Sequence, residues 1–357
     1  LAWQAPPPQR SRRWLVATLV GLTIGGLLLA SVTVSIPYYA LAPGSARQVN
    51  DLIAGPPGKT FPPRGQVMMA TVSLRPAHPI DVAQSWFDHD TTIVKEEEIV
   101  GSTPPKQLHQ VNLEEMSESK RTAVVVAFRR LGYDVPARGQ GALITAVVRG
   151  KGFPAEGKLQ EGEVITEVDG QKVQFVDDAV KLLQQHQPGD TVRVTVMSTT
   201  NTTRIEQLAM ARNDDGKAVL GVELQTYKLD YDLPFKIDIE SGDIGGPSAG
   251  LAFTLGILDD LTPGELTGNR KVAATGTIGI DGKVGDVGGV PQKTAAVIRS
   301  GAKVFLVPPG EFKQAQKRAG KRLQVIAVAT LEDALNALKK LGGNVEALAV
   351  RSGGSPG

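Results

Sequence analysis

The 357 residues contain no cysteine. That absence removes a disulfide framework, thiolate metal sites and a cysteine nucleophile together. Histidine is also scarce: His78, His89, His109 and His186 are all of it. Any chemistry downstream of residue 186 must work without an imidazole of its own. Neither sign of charge dominates, since 39 basic and 37 acidic residues leave a net +2. Spread through the chain, they form no basic face for a phosphate backbone, and nucleic acid is not an expected partner. A P-loop is missing too: Gly58-Lys59-Thr60 has Ile53 where the first glycine is required. There are no heptads or tandem repeats, and the 41% hydrophobic content is that of an ordinary folded chain.

A long apolar run is present instead. From Trp14 to Ile36 there is no charged residue, and Leu, Val, Gly and Thr dominate. As a helix this run is long enough to cross a hydrocarbon core of about 30 Å. Arg10, Arg12 and Arg13 precede it, and Tyr38 and Tyr39 follow. That distribution keeps the N-terminus in the cytoplasm and suits tyrosines at the far interface. The expectation is a single-pass cell-membrane protein, with 1–13 a cytoplasmic tail, 14–36 a transmembrane helix and the bulk of the chain extracytoplasmic. A cleaved signal peptide is the competing reading, with Ala40-Leu41-Ala42 as its small-x-small site, although such apolar cores run only about 7–15 residues.

Residues 41–66 carry Pro43-Gly44, Pro56-Pro57-Gly58 and Pro62-Pro63 and read as turns. Gln66 to Leu74 has strand character. Val111 to Leu131, with Met116, Ala123, Val126 and Ala127 at helical spacings, reads as a helix stopped by Gly132. Residues 37–132 are taken as one extracytoplasmic segment. In the next unit, 133–215, Ala142 to Val148 reads as a strand, Phe175 to Gln185 as a helix and Thr191 to Met197 as an alternating strand. This order resembles a PDZ domain of the type attached to bacterial proteases. The words that carry the resemblance are Leu159-Gln-Glu-Gly-Glu-Val-Ile165, Val168-Asp-Gly-Gln-Lys-Val173 and Pro188-Gly-Asp-Thr-Val192. It implies that an extended peptide adds to a sheet edge while backbone N–H groups receive its carboxylate. That edge is expected near Ala142 to Val148, with Arg138-Gly-Gln-Gly141 as the cradle. The alternative is a spacer of the same fold that binds nothing.

After Gly216 come short apolar strands, glycines and short helices. Phe235 to Glu240 alternates as a strand and leads through Ser241-Gly-Asp-Ile-Gly-Gly-Pro-Ser-Ala-Gly250 to an apolar helix, Leu251 to Leu261. Ser248 thus falls at a strand-to-helix junction. First-turn N–H groups there face incoming negative charge, and glycines admit a substrate backbone. The same position also suits a helix N-cap. A serine nucleophile needs a base, and with no histidine downstream, lysine is the remaining common choice. Lys271 follows Arg270 in a polar turn, and Lys283 lies in the hairpin turn Asp281-Gly-Lys. Lys293 instead opens an apolar helix, Pro291-Gln-Lys-Thr-Ala-Ala-Val-Ile298, with Gly301 as its stop. Burial and the helix N-terminus both lower an amine's pKa, and a base near neutrality needs a fall of about 2–3 units from ~10.4. A surface lysine snorkelling from a helix end is the alternative.

Several words then occur in order: Gly246-Pro-Ser-Ala-Gly-Leu251, Leu266-Thr-Gly268, Ala274-Thr-Gly-Thr-Ile278, Asp281-Gly-Lys-Val284, Val287-Gly-Gly289, Lys293 and Gly301-Ala-Lys-Val-Phe-Leu-Val-Pro308. With these, the C-terminal region resembles the proteolytic domain of Lon. The resemblance implies that Ser248 is the nucleophile, Lys293 its general base and Thr275 a residue that holds the lysine. One departure stands at Gly245, where many Lon proteins carry an acid; Asp243 is the nearest one here. Six-membered rings are common among Lon domains, so self-assembly is implied by analogy.

The expected fold is therefore mixed α+β: an N-terminal transmembrane helix, a PDZ-like β-rich domain over 133–215, a Lon-type α/β proteolytic domain over 216–342 and a flexible tail over 343–357. The expected function is an ATP-independent serine endopeptidase that cleaves peptides or unfolded protein segments outside the membrane, through Ser248 and Lys293, without cofactor or metal. The alternative is a PDZ-based peptide-binding adaptor or scaffold with an inactive Lon-like domain.

Overall fold

The computed structural model describes residues 12–88, 90–101, 105–150 and 152–348. Arg10 and most of the expected cytoplasmic tail, His89, and the last part of the C-terminal tail lie outside the described residues. There are two compact units, one formed by the chain up to Tyr133 together with Phe235 onward, the other by Asp134–Pro234. The first contains α1 (Arg12–Thr33), β1 (Tyr38–Gln48), β2 (Gln66–Pro76), α2 (Pro79–Ser85), β3 (Thr92–Lys95) and α3 (Pro105–Arg130). The second contains β4 (Ala142–Val147), β5 (Val164–Val168), α4 (Val176–Leu183), β6 (Thr191–Met197), β7 (Thr203–Ala209) and β8 (Val222–Thr226). The chain then returns to the first with α5 (Gly250–Leu261), β9 (Lys271–Ala274), α6 (Val290–Arg299), β10 (Val304–Val307), α7 (Phe312–Ala319), β11 (Gln324–Ala327) and α8 (Leu331–Lys340).

In the first unit a six-stranded sheet runs in the order β11, β10, β9, β2, β1, β3. Val304-Phe-Leu-Val307 is wholly buried, the pattern of an inner parallel strand covered on both faces. Residues 37–132 supply half of this sheet. Gln66–Met69 pair in parallel with Lys271–Ala274, and β1 lies antiparallel between β2 and β3. The Pro43-Gly44 pair that reads as a turn sits instead in β1, where the register shifts between Pro43 and Ala46. A bulge is where a strand tolerates a proline without an N–H. Helices α6 and α7 pack together over a core that includes Met68, Ala273, Val297, Phe305, Val307 and Ala315. α5 is buried at every residue and packs against β2 and α3, as befits a helix apolar all round. Trp14–Thr33 of α1 is, among the described residues, the one helix long and apolar enough to cross a membrane.

The second unit is an insertion in the chain of the first. The polypeptide leaves after Tyr133 and returns at Phe235, and these two rings meet edge-to-face with centroids 6.0 Å apart. Phe128 of α3 stands edge-on to both, at 5.4 and 4.8 Å. Within the insertion the strands run antiparallel in the order β7, β6, β5, β4, β8. Ala179, Leu182 and Leu183 of α4 close its core with Ile144, Ile165 and Val194.

Here the expected peptide edge has to be corrected. Ala142–Val147 is an inner strand, flanked by β5 on one side and β8 on the other, with Leu224 opposite Ile144 and Thr226 opposite Ala142. The edge strand on that side is β8, tied to the start of α4 by the Val176 N–H, which donates to Thr226 Oγ1 at 3.1 Å. The expected cradle is also engaged internally: the Gln140 N–H donates to Tyr227 O at 2.9 Å and the Gly141 N–H to Gln174 O at 3.1 Å. The pairing partner comes from beyond residue 215, out of reach of a local reading.

Candidate active site

The expected strand before Ser248 is reduced to Asp238–Ile239, and a loop carries the chain on to α5. Helix α3 holds that loop. Asn112 O accepts from the Gly246 N–H at 2.7 Å, and Ser119 Oγ donates to Pro247 O at 3.0 Å. The same helix explains the glycine at 245. A Cβ there would lie 2.7 Å from Asn112 Cβ and 3.1 Å from its carbonyl carbon, so the close approach of α3 leaves no room for the acid that many Lon proteins carry. Asp243 is exposed in the same loop.

Ser248 is half-buried and stands one residue before Ala249, the N-cap of α5. It is therefore not the cap, and its hydroxyl is not spent on the helix. Its peptide is clamped to the end of β9: the Gly276 N–H donates to Ser248 O at 3.0 Å, and the Leu251 N–H to Gly276 O at 3.1 Å. Thr275, fully buried, is fixed by its own N–H, which donates to Leu306 O at 3.0 Å.

Lys293 lies in the first turn of α6, as its sequence position predicts, behind an N-cap glycine, Gly289, with a φ of 68°. A Cβ at Gly289 would come within 2.7 Å of Val72 Cγ1, so this glycine lets the helix start seat directly on β2. The lysine is 3% exposed, which excludes the snorkelling arrangement. Its Nζ donates to Thr275 Oγ1 at 3.3 Å, and Thr275 Oγ1 donates in turn to Ser248 O at 3.3 Å. Burial pushes the amine down from 10.5 to about 8, against the opposing pull of the Glu311 carboxylate. Lys293, Thr275 and the Ser248 peptide are thus brought together. Ser248 Oγ and Lys293 Nζ themselves share no hydrogen bond, and the link between them runs through Thr275.

Glu311, which acts on the lysine, and Asp286, which acts on Glu311, carry no signal of this in the sequence. Glu311, just before α7, accepts from the Val287 N–H at 3.3 Å, while its Oε2 is buried without a hydrogen-bond partner. Burial raises its pKa, and the neighbouring Asp286 carboxylate adds to the rise. Glu311 follows Pro308-Pro-Gly310 and looks like a solvated helix start, and Asp286 lies between Gly285 and Val287 like a turn residue. Neither pattern signals a link to the lysine's surroundings.

Two stretches of the chain match known families. Residues 129–206 match the PDZ domain family, and residues 220–340 match the Lon protease (S16) C-terminal proteolytic domain. A Lon protease of Neorickettsia sennetsu is 34% identical over 93 residues, 25% of this chain and 11% of that protein. Lon protease 2 of Bacillus subtilis is 32% identical over 117 residues, 33% of this chain and 20% of that protein. The matched stretch is thus a fifth or less of those relatives' length. Among solved structures, the PDZ domain of an SdrC-like protein from Listeria innocua is 25% identical, covering 24% of this chain and 92% of that one, with a TM-score of 0.22. Residues 220–340 are thus similar to the Lon protease (S16) C-terminal proteolytic domain, in one polypeptide with a stretch similar to a PDZ domain.

Proposed function

We propose that this protein is a membrane-anchored serine endopeptidase in which Ser248 is the nucleophile and Lys293 the general base. The observation that carries the reading is a lysine buried at 3% exposure, with its amine held by Thr275, whose hydroxyl also holds the Ser248 peptide. In this reading the neutral Lys293 amine takes the Ser248 Oγ proton as the oxygen attacks the scissile carbonyl. Ser248 rotates toward the amine when substrate fills the site; such contacts often tighten only in the complex. The Ser248 and Ala249 N–H groups have no backbone acceptor among the described residues and are the donors at hand for the oxyanion. The Lys293 ammonium then protonates the leaving amine. A water deprotonated by the same lysine hydrolyses the acyl ester and restores the Ser248 hydroxyl.

With α1 as a single-pass anchor, cleavage takes place outside the cytoplasmic membrane, where there is no ATP supply, and is ATP-independent. Peptides and unfolded segments are the substrates, presented by the PDZ unit as an added strand on β8. Self-assembly into rings follows by analogy with Lon domains. The test is turnover of an unfolded, fluorescently labelled protein by the full chain, wild type against Ser248→Ala and Lys293→Ala. Each variant is expected to lose on the order of 10³-fold or more, and unchanged turnover in both sinks the assignment. The free β8 edge favours one other reading, a peptide-binding adaptor. That reading requires peptide affinity that survives both substitutions together with no cleavage by the wild type.

A further inference from the structure

Helix α1 leaves its whole surface to be covered by something else. Within Trp14–Thr33 only Ala30 and Ser31, one turn from the end, are half-buried; all other residues are exposed. The helix that α1 meets is α2, whose approach is fixed by backbone bonds: the Ile36 N–H donates to Ala77 O at 2.9 Å and the Ala77 N–H to Tyr38 O at 2.8 Å. α2 therefore lies level with the last turn of the apolar span. It is seven residues long, about 10 Å at 1.5 Å per residue. It delivers Trp86, 75% exposed, with the neighbouring Phe87 at 85%. Two large aromatics presented this openly beside an apolar helix end are out of place in water. A bilayer's interfacial layer is where an indole, apolar in body with one N–H donor, is best accommodated.

We infer that Trp86 and Phe87 are a membrane foot: they insert into the interfacial layer of the same bilayer that α1 crosses, on the side where the folded units stand. This rests on the reading of α1 as an anchor. The span from Trp14 to Thr33 is about 30 Å at 1.5 Å per residue, so Trp14 marks one interface and Trp86 the other. The foot gives the catalytic unit a second attachment at the point where β1 leaves the anchor. That attachment limits rocking about a single helix.

The chain has three tryptophans, Trp3, Trp14 and Trp86, which makes the idea directly measurable. Full-length protein with Trp3→Phe and Trp14→Phe retains Trp86 alone; with Trp3→Phe and Trp86→Phe it retains Trp14 alone. Both are reconstituted in vesicles of phosphatidylcholine brominated near the top of its acyl chains. Trp86 is expected to lose roughly half its emission there and to be shielded from iodide in the water, as an interfacial ring must be. If Trp14 is quenched by the lipid while Trp86 is not and remains open to iodide, the foot is refuted and the anchor stands. If neither tryptophan senses the bromine, anchor and foot fall together.

Discussion

If Lys293 is the base, hydrolysis should track the fraction of its amine that is neutral. Burial places that amine at about 8 rather than 10.5, a differential cost of roughly 3–4 kcal/mol on the ammonium form. About one-tenth of the lysines are then neutral at pH 7 and about nine-tenths at pH 9, whereas a solvated lysine would be neutral ~300-fold less often at pH 7. The logarithm of kcat/KM should therefore rise with unit slope up to about pH 8 and level off above it. The assay is the initial rate with an unfolded labelled substrate well below KM, at constant ionic strength. Glu311→Gln sharpens the test. Its carboxylate favours the ammonium form, so its loss should move the acid limb to lower pH. A midpoint near 10.5 would mean a solvated lysine, and a pH-independent rate would refute lysine as the base.

Three further outcomes follow from the geometry. Thr275→Val removes the hydroxyl that accepts from Lys293 and donates to Ser248 O, leaving the buried Lys293 amine without that acceptor while Ser248 O keeps the Gly276 N–H. It should cost about 1–3 kcal/mol of transition-state stabilisation, roughly ten- to a hundredfold in kcat, with Thr275→Ser restoring most of it. Gly245→Ala drives a Cβ into Asn112 and should destabilise by about 1–3 kcal/mol, read as a lowered urea midpoint. Asp260, in α5, is lifted by burial to about 7 although Asn50 Nδ2 donates to it at 2.7 Å. A carboxyl raised in this way loses stability as pH climbs from about 4 to 7, with a ceiling on the order of 4 kcal/mol. Asp260→Asn should therefore gain on the wild type across that window and show little difference below it, in urea unfolding at pH 4 and pH 8.

Elements whose signal is local were legible in the sequence. The helix opened by Pro291 and stopped at Gly301 is α6, and the alternating run Thr191 to Met197 is β6 with the same ends. Val111 to Leu131 is the greater part of α3. Pairing between distant segments was not legible. Nothing in Gln66–Met69 announces that it will lie against Lys271–Ala274, or in Val222–Thr226 that it will cover β4. For the same reason a local reading puts the PDZ edge on β4, one strand too far in. At the candidate site, a serine ahead of an apolar helix and, of the three nearest downstream lysines, the one that opens an apolar helix are both visible as sequence patterns. Glu311 reaches Lys293, and Asp286 reaches Glu311, through tertiary folding, and their sequence surroundings belong to ordinary turns.

The edge-to-face meeting of Tyr133 with Phe235 bears on how the molecule can be cut and rebuilt. Because the chain departs and returns at neighbouring points, the inserted unit hangs on two covalent strands. A single nick at either junction leaves it attached. The same proximity means that a short loop can bridge Tyr133 to Phe235 without stretching, and such exchange of whole modules is commonly tolerated where chain ends lie close together. The inserted unit can thus be removed, or replaced by another module, while the aromatic cluster of Phe128, Tyr133 and Phe235 stays intact.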